Sequence, residues 1–157
     1  MKSILSVALS MSLVSLVLPA LARDYKLGAI EIGAPWSRAT PATAPSAGGF
    51  LSITNKGGAV DRLIAVQSPA ASAVEIHETK MEGAVMHMSP VDNGIALPPG
   101  ETVELKPGGY HVMFIGLKAP FVKDQHVPAT LIFEKAGQID VEFIVDALGA
   151  TRPPAHR

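Results

Sequence analysis

Apolar residues occur along the chain in short runs, and after residue 22 no stretch keeps the 3.6-residue apolar period of a helix for three turns. Apolar and polar residues alternate over residues 102–105 and 141–145, and this two-residue period is typical of strands with one buried face. Short β-rich runs separated by Gly, Pro, Asn and Asp predict about nine strands: residues 29–33, 49–55, 62–68, 73–79, 85–90, 102–105, 111–117, 129–135 and 139–146. We therefore predict an all-β sandwich or barrel.

The remaining segments are predicted to be connections that do not divide the chain into two domains. Residues 35–48 are rich in Pro, Ala, Thr and Ser and predict one long loop. The last residues, 151–157, contain two prolines and no apolar run, so we predict a disordered tail. A length of 157 residues suits a single domain, which we place over residues 23–150.

The first 22 residues have the pattern of a signal peptide. Lys2 provides a positive charge, residues 4–18 are largely apolar, and residues 20–22 (Ala-Leu-Ala) form a small-x-small cleavage motif. The apolar stretch ends at Pro19 and is short for a membrane span, so an uncleaved anchor is the weaker alternative. We predict export to the periplasm, with no membrane insertion after cleavage.

Composition excludes several classes of function. The formal net charge is −1 and only 17% of residues are charged, so the chain offers no phosphate-neutralising surface and nucleic-acid binding is not expected. The absence of cysteine excludes disulfides, thiolate metal sites, iron–sulfur clusters and a cysteine nucleophile. The sequence also lacks a G-x-S-x-G elbow, an H-E-x-x-H motif and a glycine-rich phosphate loop. We therefore predict that the protein is not an enzyme.

Candidate chemistry is concentrated between residues 77 and 113. Residues two apart on a strand share a face, which places His111 beside Met113. If the turn at residues 80–83 closes a hairpin, the strand with His77 lies beside a strand with two further methionines. The window contains every methionine after residue 22 and three of the five histidines: Met81, Met86, Met88, Met113, His77, His87 and His111.

The donor types in this window favour copper. A thioether is a soft donor that water does not protonate, and an imidazole is a borderline nitrogen donor, so together they suit Cu(I) better than Zn(II), Mg(II) or Ca(II). In an oxidising compartment they also avoid the disulfide chemistry that competes with thiolate sites. A blue-copper electron-transfer centre is excluded because it needs a cysteine ligand. The pattern indicates a site that binds Cu(I) and releases it.

Each candidate also has an ordinary structural explanation. Met88 and Met113 are typical of core side chains that fill irregular gaps, and His111 is typical of a satisfied, partly buried histidine. His77 fits a surface histidine at a strand end. Supporting roles, as neighbours of the ligands, at the site entrance or in a hydrogen bond to His77, are predicted for Met86, Met81 and Glu78, with Glu75 as an alternative to Glu78.

These motifs resemble the signature of the periplasmic copper chaperones known as the PCu(A)C family, which is a His, ten residues, a Met, about 21 residues and then His-x-Met. Here ten residues separate His77 from Met88, and 22 separate Met88 from His111-Val112-Met113. The extra residue falls near the turn at 92–94, where a surface loop absorbs it without moving the strands. Matching segments cover most of residues 28–146, including 35–36, 51–55, 74–78, 86–88 and 105–113.

The resemblance implies a cupredoxin-like Greek-key β-sandwich with an exposed copper site of His77, Met88, His111 and Met113. It also implies delivery of Cu(I) towards the binuclear copper centre of cytochrome c oxidase, with subunit II or a Sco-type thiol chaperone as acceptor. We expect a monomer. Some relatives add a Cu(II) site on a tail rich in His and Met, but this tail contains only His156, so that second site is not expected.

Two other functions stay open at this level. A copper-buffering or storage module without a dedicated acceptor would use the same ligands. A secreted β-sandwich assembly domain would use the methionines only for packing. A copper enzyme ranks below both, because thioethers stabilise Cu(I) and oppose redox turnover.

Overall fold

The computed structural model describes residues 24–155, so the predicted signal peptide and His156 lie outside the described residues. Within this range no helix is long and apolar enough to cross a membrane. The chain forms eleven strands: β1 (Tyr25–Leu27), β2 (Ile30–Arg38), β3 (Ser46–Asn55), β4 (Asp61–Gln67), β5 (Ala71–Glu82), β6 (Val85–Pro90), β7 (Ile95–Leu97), β8 (Thr102–Leu105), β9 (Tyr110–Leu117), β10 (His126–Phe133) and β11 (Gly137–Asp146).

All nine predicted strands are present, and the prediction missed two. These are β1 and β7, which have three residues each and are too short to show an alternating pattern. They form because longer strands are available to pair with them, β2 for β1 and β4 for β7. Residues 151–155 form no strand, and the disorder of the tail stays a prediction.

The long loop predicted over residues 35–48 is wrong at both ends, because β2 continues to Arg38 and β3 begins at Ser46. The β2–β3 register shifts between Gly33 and Trp36, and this irregularity accommodates the proline at position 35 within a strand. The small residues at the start of β3 have a packing role. A Cβ atom at Gly49 would lie 2.8 Å from the Phe114 ring and 2.9 Å from the Phe143 ring.

The strands form one curled sheet in the order β6-β5-β9-β3-β2-β11-β10-β4-β7, with β1 added to β2 and β8 added to β3. Among residues 24–155, β2 and β11 pair in parallel and the other neighbours are antiparallel. The sheet curls over a single core, in which the Phe114 ring of β9 meets the Phe143 ring of β11 edge to face at 5.5 Å. This arrangement confirms the all-β prediction.

Two features of this sheet place the candidate site. Strands β5 and β9 pair directly, and the side chains that they direct into the core are aliphatic and aromatic, including Ile76, Val112 and Phe114. The alternate residues of both strands therefore project from the outer face. Strand β6 lies at one edge of the sheet, and all six of its residues are exposed.

Candidate metal centre

The register of β5 and β9 brings the two predicted histidine ligands together. His77 lies directly opposite His111, and their ring centroids are 5.8 Å apart. The neighbouring pair on the same face is Glu75 opposite Met113. Two strands that are distant in the sequence thus supply three of the candidate donors and one carboxylate to one outer surface.

The β5–β6 hairpin adds the fourth candidate. Its two-residue turn begins with Gly83 at φ +64°, a conformation that suits glycine at the first central position of a hairpin turn. The register places Met88 opposite Thr79. Since directly opposed residues share a face and Thr79 is two residues from His77, Met88 lies on the same face as both histidines. The hairpin prediction is confirmed, with its turn at residues 83–84 rather than 80–83.

His111 is held with one ring nitrogen available. The side chain is buried, and its Nδ1 lies 3.1 Å from the Gly109 carbonyl oxygen. Because a carbonyl only accepts, Nδ1 carries the proton and donates, and the lone pair is on Nε2. Nε2 is buried and has no hydrogen-bond partner. The same carbonyl accepts a 3.0 Å bond from the Thr79 amide, which ties the turn before β9 to β5.

His77 has the complementary arrangement. Its Nε2 lies 2.7 Å from Oε2 of Glu75, so Nε2–H donates to the carboxylate and Nδ1 carries the lone pair. Nδ1 is buried and has no partner. A buried polar atom without a partner costs stability and calls for an explanation. Metal-binding histidines commonly anchor one nitrogen on a carboxylate or carbonyl and offer the other to the metal, and both rings fit that pattern.

Burial lowers the pKa of His111, and the neighbouring His77 lowers it further, whereas the hydrogen bond to the Gly109 carbonyl opposes both effects. A lowered pKa favours the neutral ring at neutral pH. That is the protonation state in which imidazole binds a metal.

The two candidate methionines differ in exposure. Met113 is half-buried and lies opposite Gly48 of β3, where a Cβ atom would come within 3.1 Å of the Phe50 ring. Met88 is 51% exposed, so it fills no gap in the core and the packing explanation does not account for it. The candidate centre therefore runs from a buried histidine to an exposed thioether at the sheet edge.

The supporting residues are distributed differently from the expectation. Glu78 lies on the opposite face, with its carboxylate 2.9 Å from Nζ of Lys80, and Glu75 is the residue that bonds to His77. The alternation of β5 contains the signal that distinguishes them, because a residue two positions from His77 shares its face and the adjacent residue does not. His87 is opposite Lys80 and also faces away.

Met81 and Met86 form a cross-strand pair on the same face as Met88. Within residues 24–155 no group of three His, Asp or Glu side chains is arranged to hold a metal ion. Four thioethers share this face with the two histidines: Met81, Met86, Met88 and Met113.

Comparison with known proteins identifies the family. The LpqE-like family model matches residues 30–145. The chain is also similar to "Putative lipoprotein Lxx21020" of Leifsonia xyli subsp. xyli, with 33% identity over 104 residues, or 66% of this chain. The match spans 61% of the length of that curated relative.

Among solved structures, the copper-bound PCuAC domain from PmoF2 aligns with a TM-score of 0.68 and 30% identity, over 80% of this chain and 98% of that domain. The solution structure of CuI-DR1885 from Deinococcus radiodurans aligns with a TM-score of 0.60 and 23% identity, over 83% of this chain and 85% of that one, and shows the fold alone. The chain belongs to the LpqE-like family, which is of PCu(A)C type. The resemblance and the cupredoxin-like fold are thereby confirmed, with eleven strands in place of nine.

Proposed function

We propose that this protein is a periplasmic copper chaperone that binds one Cu(I) ion through His77, Met88, His111 and Met113. One observation carries the proposal. Two cross-strand histidines each hold a buried, unpartnered ring nitrogen, with the other nitrogen anchored on a carboxylate or a carbonyl. They share an outer face with both candidate thioethers.

The donor set favours Cu(I) over other biological metals. Two thioethers and two neutral imidazoles are soft or borderline ligands without charge, and they match a monovalent soft ion better than Zn(II) or a hard divalent cation. The lowered pKa of His111 keeps its imidazole neutral at the pH of the periplasm. Copper binding to this ring therefore releases few protons.

The exposure of Met88 supports transfer of the ion rather than permanent storage. A ligand on an exposed edge strand leaves one side of the ion open to an incoming donor of a partner protein. The 30% identity to a copper-bound PCuAC domain supports the same class of function. We propose export by residues 1–22, action as a monomer, and delivery towards the binuclear copper centre of cytochrome c oxidase, with subunit II or a Sco-type thiol chaperone as acceptor.

Competition with a Cu(I) chelator under anaerobic conditions tests the binding site. We expect the unmodified protein to withdraw one Cu(I) per chain and the His111→Ala/Met113→Leu variant to withdraw almost none. His87→Ala is the control, because that histidine lies on the hairpin that carries Met88 but on the opposite face, and this variant should bind Cu(I) normally. Unchanged binding by the double variant would favour the assembly-domain alternative, in which the methionines only pack.

Transfer separates a chaperone from a buffering module. The Cu(I)-loaded protein is mixed with the apo copper domain of subunit II or of a Sco-type protein, and the copper content of each is measured after separation. We expect copper on the acceptor, at a rate that exceeds release into chelator-free buffer. Retention of copper under a favourable affinity gradient would contradict delivery and favour buffering.

A further inference from the structure

The tip of the β5–β6 hairpin carries more exposed apolar surface than its fold requires. Met81 is 60% exposed and Met86 is 63% exposed. Of the eight large apolar side chains that are exposed among residues 24–155, four lie on this hairpin: Met81, Val85, Met86 and Met88. Exposed apolar groups that cluster in this way usually mark a binding site.

The register gives these thioethers a defined arrangement. Met81 lies directly opposite Met86, and side chains in such pairs have Cβ atoms about 4.5–5.5 Å apart. Met88 is two residues further along β6 and projects from the same face. Methionine is long, unbranched and flexible, so the three sulfur atoms can converge on one ion. We name Met81, Met86 and Met88 the thioether triplet.

Packing does not account for the triplet. Methionine is useful in a core because it fills irregular gaps, but each of these side chains is more than half exposed. What distinguishes methionine from other apolar residues at such positions is the soft sulfur donor.

We propose that the thioether triplet is a second, weaker binding site for a soft monovalent cation, and that Met88 belongs to both sites. The inference deepens the proposed function, because Cu(I) would enter or leave the histidine site through the triplet. In the inward step, the Met88 sulfur stays bound to Cu(I) while the Met81 and Met86 sulfurs dissociate. The two free imidazole nitrogens and the Met113 sulfur bind in their place. The ion stays Cu(I) throughout, and no proton or electron is transferred.

The triplet should bind more weakly than the histidine site for structural reasons. Its three donors are on exposed side chains, so binding must order three flexible groups. The histidines, by contrast, are held in place by the hydrogen bonds of Glu75 and Gly109. A weaker outer site beside a stronger inner one gives the ion a favourable direction of entry.

Silver titration with methionine-resolved detection tests the inference. Ag(I) is a soft monovalent cation that is not oxidised in air, and ¹³C-methyl labelling of methionine reports each thioether separately by NMR. We expect the first equivalent of Ag(I) to shift Met88 and Met113. Because the first ion already holds Met88, the second equivalent should bind the two remaining thioethers of the triplet and shift Met81 and Met86. Saturation after one equivalent, with Met81 and Met86 unshifted, would overturn the inference.

Variants separate this inference from the proposed function. Met81→Leu/Met86→Leu should lose the second equivalent and keep the first, and the fold should tolerate it because both side chains are exposed. Val85→Leu is the matched control on the same hairpin, and it should keep both equivalents. If the double variant still binds a second equivalent, the triplet is not the site. If the first equivalent leaves Met88 and Met113 unshifted in the unmodified protein, the proposed function fails instead.

Discussion

The two faces of the β5–β9 strand pair have opposite characters. On the inner face Ile76 lies opposite Val112 and both are almost fully buried, next to Phe114. On the outer face the next residues along, His77 and His111, lie opposite each other with ring nitrogens free. Core side chains therefore alternate with candidate copper ligands along the same two strands. A register shift of one residue would exchange them.

Substitutions on the two faces should therefore affect different properties, stability on the inner face and copper binding on the outer face. Inner-face residues are surrounded on all sides, so removing atoms leaves a cavity. Outer-face residues are positioned mainly by hydrogen bonds, and several of them are partly exposed. Changing them should therefore alter copper affinity more than folding.

The largest effect on the free energy of unfolding should come from a substitution on the inner face. Phe114 is fully buried and contacts the rings of Phe121 and Phe143, so Phe114→Ala should lower the free energy of unfolding by about 3–5 kcal/mol. Urea denaturation measures this change. Met113→Leu, on the same strand but the other face, is the control and should cost less than about 1.5 kcal/mol. Similar losses from the two variants would contradict the separation of the faces.

A smaller effect should come from the residue that positions His77. Glu75→Gln removes the charge that accepts the Nε2–H bond, so Cu(I) affinity should fall by about 10–100-fold with little change in stability. Chelator competition measures the affinity, and ¹⁵N NMR of the His77 ring reports whether the tautomer is lost. Glu78→Gln is the control, because Glu78 faces away and pairs with Lys80. Equal effects of the two variants would show that Glu75 has no special role.

The pH dependence of the copper-free protein tests the environment of His111. Its pKa is lowered by burial, so the unfolded chain takes up this proton at a higher pH than the folded protein. The free energy of unfolding should therefore fall as pH decreases below the ordinary histidine pKa of about 6.5, by at most about 1.4 kcal/mol per pH unit. The loss should stop once pH passes below the folded pKa.

Urea titrations at several pH values measure that slope. His111→Gln should flatten it just below the ordinary histidine pKa of about 6.5, with His87→Ala at an exposed position as the control variant. An unchanged slope in His111→Gln would show that this ring does not contribute to the acid sensitivity.

The smallest effect on folding should come from Met88. Because this side chain is about half exposed at the sheet edge, Met88→Leu should change the free energy of unfolding by less than about 0.5 kcal/mol. The same variant should weaken Cu(I) binding, since leucine has no donor atom. Substantial destabilisation would instead restore the packing explanation for this methionine.

Much of the site was predictable because alternation along a strand is a local property. The spacing of His111 and Met113, and the position of the hairpin between β5 and β6, follow from the sequence and the turn residues. The choice of Glu78 over Glu75 did not use that alternation, although the sequence contained it. The short strands β1 and β7 were not predictable, because three residues show no period and depend on a partner strand.

The amino-acid sequence alone predicts an all-β chain and the course of nine of its strands. It also shows that every methionine after residue 22 lies in one window. The folded structure adds three facts: β5 pairs with β9 so that His77 faces His111, both free nitrogens are buried, and Met88 is exposed rather than packed. The difference arises from how far apart along the chain the interacting residues are. Alternation depends on neighbouring residues, whereas register and burial depend on how distant strands close over one shared core.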